Sequence, residues 1–274
     1  MRRCLIFFAG VILLLLVYAV GIEPFFIKVT HVQLENVDLN RILKGKTAIH
    51  ISDLHISSIG RLENQVLQKI NDSKPDFVFL TGDYVQWNDS SEPALEFLAK
   101  LQAKIGVWAV MGDYDYSNDR KSCLFCHEPG TGQRTKRHRV KFLRDSAENI
   151  TVDGKTLQIV GIEWGNGNRK GGNDKAGWPE VEGSKASIAL VHNPLAFDAI
   201  PEDQNVLVLS GDTHGGQINL PRWIWSLLGY EKNAKYNQGL FQRGGNQMYV
   251  SRGVGTSHAQ FRLMCRPEIT ILHF

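Results

Sequence analysis

The sequence predicts an α/β protein with a largely parallel sheet, preceded by an apolar helix. Three observations carry this. Through the first half of the chain, apolar runs of strand length alternate with amphipathic helical stretches, the pattern of a parallel sheet with helices packed on it. Strand-like runs also end repeatedly in a carboxylate or an imidazole, and in an open α/β sheet the carboxyl ends of strands face the ligand crevice. Finally, residues 4–22 are a nearly unbroken apolar run, close to the ~20 residues that span a bilayer.

Taken in order, Met1, Arg2 and Arg3 give a short basic start to residues 1–22, which read as an uncleaved membrane anchor, with a signal segment as the alternative. Ala19-Val20-Gly21 is a poor match to a small-x-small cleavage site. Arg2 and Arg3 on the cytoplasmic side imply a single N-terminal anchor in the cytoplasmic (inner) membrane, with the domain facing the periplasm or cell exterior. Residues 23–43 read as a linker with an edge strand at 30–34, and residues 44–274 as the folded domain. A strand at 47–52 is followed by a helix at 61–73, whose apolar face is Leu62, Val66, Leu67 and Ile70. Pro75 ends that helix by disfavouring helical geometry at Lys74. The strand Phe77–Thr81 leads to a helix at 92–101, with Ser90 or Ser91 as N-cap and Pro93 just inside, and then to a strand at 107–111. Residues 118–149 are polar, basic and less regular, an insertion holding Cys123 and Cys126. Apolar runs at 157–162, Ser187–Val191, Val206–Ser210, 248–251 and 269–272 predict a second sheet, and the Gly-rich 165–172 predicts a surface loop.

With 43% hydrophobic and 22% charged residues, the chain has enough apolar sequence for a full core, which excludes disorder over most of its length. The net charge of +3 is small and Lys and Arg are scattered except at 134–139, so no nucleic-acid partner is predicted. Four cysteines in 274 residues do not make a disulfide scaffold; Cys4 and Cys265 read as small apolar residues.

The chemistry gathers at the strand ends. Asp53 and His55 follow the first strand, Asp83 the second, Asp113-Tyr114-Asp115 the third, His192 the fourth and Asp212-Thr213-His214 the fifth. One Asp-x-His pair is more often a satisfied turn, but five such ends predict a metal site. In order, these pieces resemble the calcineurin-like metallophosphoesterase family: an Asp-x-His, a Gly-Asp, a Gly-Asn-His-Asp-like turn, an isolated His and a Gly-His-x-His-like turn. The apolar start and the Thr-His-Gly-Gly-Gln ending resemble its membrane-anchored bacterial branch. The resemblance implies a four-layer α/β/β/α sandwich of two mixed sheets and two metal ions sharing a carboxylate. One ion would take Asp53, His55, Asp83 and His214; the other would take Asp83, Asp113, His192 and Asp212. Such ligands suit Mn, Fe, Zn or Mg. Two ions would polarise a phosphoryl group and activate water for phosphodiester or phosphomonoester hydrolysis. Related anchored enzymes act on lipid-linked substrates such as UDP-diacylglucosamine, which implies a phosphoester substrate, in the narrower reading a lipid-linked one, and the membrane as partner.

The pattern also departs from the family. Its Asn–His pair is here Asp113–Tyr114, and the first His of its last motif is Asp212. Four carboxylates would then cancel two divalent ions, weakening phosphate binding and making water harder to deprotonate. A slower enzyme, a preference for Fe(III) and a metal site without hydrolysis all follow as readings. Tyr114, at the family's catalytic His, would donate a hydrogen bond but is a poorer proton donor near neutral pH. Asp115 is expected to orient its turn or Tyr114, and the backbone amides of Gly215 and Gly216 either shape a turn or meet a phosphate oxygen.

Cys123-Leu124-Phe125-Cys126-His127 matches the c-type haem attachment pattern, with His127 as axial ligand and His138 as a second. A disulfide or a zinc site using His127 or His138 are the plainer alternatives. The competing functional reading is therefore a non-hydrolytic metal-binding or c-type haem protein on the same fold. Residues 221–228 combine Trp and aliphatic residues, which suits either a core or a membrane-interface edge. The basic run 134–139 is either a solvated loop or a contact for phosphate headgroups.

Overall fold

Alternate residues of a strand point to opposite faces, and here they enter separate cores. In β3 (Phe77–Thr81), Phe77 and Phe79 enter a core between two sheets, whereas Val78 and Leu80 enter one beneath helices. The computed structural model describes residues 2–87, 89–116, 123, 125–128, 133–163 and 186–274; the Gly-rich stretch 165–172 lies outside them. The first sheet runs β1 (Lys28–Gln33), β12 (Glu268–His273), β2 (Thr47–Ile51), β3, β4 (Gly106–Val110) and β5 (Lys141–Phe142). The second runs β10 (Gly239–Arg243), β11 (Asn246–Val250), β9 (Val206–Ser210), β8 (Ser187–Val191), β7 (Lys155–Ile162) and β6 (Ser146–Val152). Strands β2 to β5 are parallel, as are β7, β8, β9 and β11; β12 is parallel to β1 but antiparallel to β2, and β6 and β10 run against their neighbours.

Helices α3 (Arg61–Asp72) and α4 (Glu92–Lys100) bury Val66, Leu67, Ile70, Ala94, Leu95, Phe97 and Leu98 against the first sheet. The outer face of the second sheet packs on Ala196, Phe197, Ile200 and Tyr236, the last from α6 (Glu231–Tyr236). The architecture is the predicted four-layer α/β/β/α sandwich of two mixed sheets. Its registers do the positioning. Ile51 lies beside Leu80, and Leu80 beside Ala109, so the turns carrying Asp53, Asp83 and Asp113 leave one edge together. Leu190 lies beside Leu209, which does the same for His192 and Asp212.

Two elements differ from expectation. Residues 269–272, predicted in the second sheet, form β12 in the first, inserted between β1 and β2. Alternation marks a strand but does not say which edge it pairs with. Residues 23–43 are part of the domain instead of a linker: β1 pairs with β12 along its whole length, and α2 (Val37–Leu43) buries Leu39, Ile42 and Leu43. Asn36 caps α2 by accepting the Leu39 amide at 2.9 Å. At α4 the N-cap position is Ser91, but the hydroxyl that accepts the Glu92 amide, at 3.2 Å, belongs to Ser90. Among the described residues one helix is long and apolar enough to cross a membrane, over Arg3–Phe25. Its end is tied to the domain: the Arg262 amide donates to Ala19 O at 2.9 Å, and buried Glu23 accepts the Met264 and Cys265 amides at 2.9 and 2.5 Å.

Candidate metal centre

The strand ends turn sharply into the space between the sheets. Asp53, His55, Asp83, Asp212 and His214 all have φ between 45° and 72°, the left-handed region that Asp and His tolerate better than most residues. Such conformations cost energy and persist at functional sites where the surroundings hold them. Two glycines make the crowding feasible. A Cβ on Gly112 would collide with Asp83 Oδ1 and lie 2.6 Å from its backbone nitrogen, and one on Gly211 would collide with Ser52 Oγ and Asp53.

Four of the predicted residues converge closely: Asp53, His55, Asp83 and His214 are all buried and each offers an atom within 4.8 Å of the others. His55 Nε2 lies 3.0 Å from His214 Nε2 and 3.5 Å from Asp83 Oδ2, while His214 Nε2 lies 3.5 Å from Asp53 Oδ1. Ligands held ~2.0–2.2 Å from one ion lie about 3.0–3.5 Å apart, so these separations fit a shared ion. On the other side of Asp83, the same Oδ2 lies 3.4 Å from His192 Nε2, which, although buried, has no hydrogen-bond partner among the described residues. His192 Nδ1 faces Thr81 O at 2.6 Å, which aims Nε2 at the centre. Asp212 Oδ1 stands 4.0 Å from His192 Nε2. Asp113 lines the adjoining cleft with Asp83, Tyr114 and Asp212.

Electrostatics divide these groups. Burial lowers His55 to about 4 and, with His55 alongside, holds His214 well below the usual imidazole range. Both are thus neutral, as ligands must be. Burial pushes Asp53 up to about 7 and raises Asp113. Burial would also raise Asp83, but His192, His55 and the Tyr114 amide outweigh it and hold this carboxyl below the ordinary range. His192 is raised because Asp83 and Asp212 overcome the cost of burying its charge.

The supporting residues were less visible in the sequence. Asp115 does orient its turn: fully buried, it accepts the amides of Asp83, Tyr84 and Gly112 at 2.8, 2.9 and 2.8 Å. Tyr114 donates its amide to Asp83 Oδ1 at 2.8 Å and sets its ring edge-on to His55 at 4.5 Å. Burial and the Asp83 and Asp113 charges raise the phenol, keeping it protonated, with its oxygen 3.4 Å from His258 Nδ1. The amides of Gly215 and Gly216 face Thr213 and so shape the turn. Arg262, fully buried, donates to the carbonyls of Arg252, Gly253 and Gly255, whose loop in turn supports Asp53 through Gly255 N to Asp53 O at 2.7 Å. Lys232 reaches Asp212 Oδ2 at 2.5 Å. Nothing in the local sequence marks either cation, since each meets the site only through tertiary folding.

The structure does not bear out the haem and zinc readings. Cys123 and Cys126 form a disulfide, so neither sulfur is free for a thioether or a thiolate bond. Phe125 packs on Tyr84 and Phe142; His127 is exposed, and His138 is buried beside Phe142. The basic run is partly paired: Arg137 meets Glu92 at 2.8 and 2.7 Å. In 221–228 the two readings divide, with Trp225 buried and Trp223, Leu227 and Leu228 exposed.

Fold and centre together define a metal-dependent hydrolase of phosphoesters. Residues 46–216, more than half of the chain, match the family model of the calcineurin-like phosphoesterases, and the chain belongs to that family. It is 28% identical over 266 residues to the uncharacterized metallophosphoesterase YkuE of Bacillus subtilis, covering 93% of this chain and 87% of that protein. The phosphodiesterase YaeI of Escherichia coli is 28% identical over 229 residues, covering 82% and 80%. The UDP-2,3-diacylglucosamine pyrophosphatase LpxG of Chlamydia trachomatis is 26% identical over 306 residues, covering 93% and 92%.

Proposed function

We propose that this chain is a membrane-anchored phosphoesterase whose ions are held by Asp53, His55, Asp83 and His214 on one side and by Asp83, Asp113, His192 and Asp212 on the other. The observation that carries the reading is Asp83 Oδ2, which stands 3.5 Å from His55 Nε2 and 3.4 Å from His192 Nε2, the position of a shared ligand. The unpartnered, buried His192 Nε2 fits an ion there. When bound, two divalent ions supply the positive charge that polarises a phosphoryl group and acidifies a water. The chain's own residues do the rest. Thr81 O sets the His192 tautomer, Asp115 holds the Asp83 and Gly112 turns, and the Tyr114 phenol donates a hydrogen bond to a substrate or leaving-group oxygen in the cleft.

The substrate class is a phosphodiester or phosphomonoester, and within it a lipid-linked phosphoester. The apolar helix at Arg3–Phe25, its attachment at Ala19 and Glu23, and the likeness to LpxG support that narrower reading. Arg2 and Arg3 ahead of the apolar helix support an orientation in which the domain lies outside the cytoplasmic membrane. The test is hydrolysis of a chromogenic phosphodiester by the full chain loaded with manganese or iron, beside Asp83→Ala. Metal-dependent turnover that disappears in the variant is expected. Bound ions without turnover would overturn the hydrolytic reading.

A further inference from the structure

The additional carboxylate at Asp212 has a partner that the ligand pattern leaves unexplained. Lys232 of α6 places Nζ 2.5 Å from Asp212 Oδ2, while Oδ1 of the same carboxylate faces His192 Nε2 at 4.0 Å. One oxygen is thus turned to the centre and the other is held by an ammonium. This is not a loose surface pair: the two side chains are 34% and 11% exposed for Lys232 and Asp212. Both sides are fixed to one turn. Asn233, next to Lys232, donates to Thr213 O at 2.9 Å, and Thr213 donates through its hydroxyl to Asn237 O at 2.6 Å. Helix α6 is therefore fastened to the segment that carries Asp212 and His214.

We infer that Lys232 is a positioning residue that makes Asp212 serve as an electrically neutral ligand, preserving an excess of positive charge for an anionic substrate. The inference rests on the two-ion reading above. The carboxylates Asp53, Asp83, Asp113 and Asp212 cancel two divalent ions. The Lys232 ammonium returns one positive charge to the cleft that it lines with Asp113, Tyr114 and His258. The departure from a histidine at position 212 and the presence of Lys232 are thus two parts of one arrangement.

The test is a double-variant cycle on the manganese-loaded full chain in detergent, with metal content and the Kd of inorganic phosphate as readouts. Lys232→Met is expected to weaken phosphate binding about 10-fold to 100-fold, the worth of a charge-assisted contact, without reducing the ions bound per chain. Lys232→Arg keeps the charge and should stay near wild type. In the Asp212→His background, Lys232→Met should return phosphate binding to within about threefold of wild type, because removing the carboxylate and the ammonium together leaves the charge count unchanged. A double variant that binds phosphate as weakly as Lys232→Met would mean that Lys232 does not act by balancing Asp212 and would overturn the inference, as would no loss in Lys232→Met itself. Should Lys232→Met fail to fold, Asp212→His alone decides: tighter phosphate binding is expected, and unchanged or weaker binding overturns the inference. A wild-type chain that takes up no ion would overturn the metal centre itself, whereas bound ions with no dependence on Lys232 would overturn only this step.

Discussion

In the proposed centre, the half formed by Asp53, His55 and His214 and the half formed by Asp113, His192 and Asp212 share Asp83 but differ in how their atoms are held. In the first, His55 and His214 face each other at 3.0 Å and each stands 3.5 Å from a carboxylate oxygen. In the second, His192 stands 3.4 Å from Asp83 but 4.0 Å from Asp212, whose other oxygen is engaged by Lys232. The first half has neutral imidazoles and the family's expected residues; the second carries the substitutions. The difference teaches that the two halves are separable. Ligand geometry can be kept on one side while charge is redistributed on the other.

The largest effect should come from the residue that belongs to both halves. Asp83→Ala should lower turnover beyond the about 10–100-fold typical of a supporting residue, with measurable loss of bound metal. Retention of full metal content would break the idea of a shared ligand. Next in size is Asp115→Asn, which touches no ion but disturbs the acceptor for three buried amides. A fall of about 10–100-fold in metal affinity is expected, read by chelator competition. A variant with wild-type affinity would show that the Asp83 turn holds without it. The substitutions that define the second half give a gain instead: Asp113→Asn with Asp212→His should raise phosphodiester turnover by about tenfold, since neutral ligands restore the field on water and phosphate. A further loss would count against the charge argument.

The smallest effect concerns the core behind the first half. His50, buried with Nε2 2.9 Å from Thr81 Oγ1, is lowered by burial to about 3. Its folded value lies below its unfolded one, so the unfolded chain binds the extra proton. Its contribution to stability is therefore complete above about pH 6.5 and is lost progressively as pH falls towards about 3. Between pH 7.5 and 5.5 the loss should be on the order of 1 kcal/mol. Denaturant unfolding of His50→Gln should lack this share of the slope, and an unchanged pH profile would exclude His50 as its source.

Much of this was legible in the chain because the informative signals are local. Strand Phe77–Thr81 announces itself by five consecutive apolar or β-branched residues, and Gly82-Asp83 follows immediately. The left-handed turns were not legible, yet the Asp and His residues that adopt them were, because ligand chemistry restricts residue type. Long-range pairing decided the rest. The partner of β12 and the packing of residues 23–43 depend on which surfaces meet in space.

The sequence by itself determined the class of fold, the order of the strand ends and the residues they carry, since periodicity and side-chain chemistry are written along the chain. Only the tertiary structure decided that Asp83 Oδ2 stands between two histidines, that Arg262 braces the loop behind Asp53, and that Lys232 balances Asp212. The last pair lies 20 residues apart, with the starts of two α-helices between them. No local propensity encodes such a contact. It forms because burying the faces of both sheets leaves one arrangement of their edges, and the charges brought together there must be balanced where they meet.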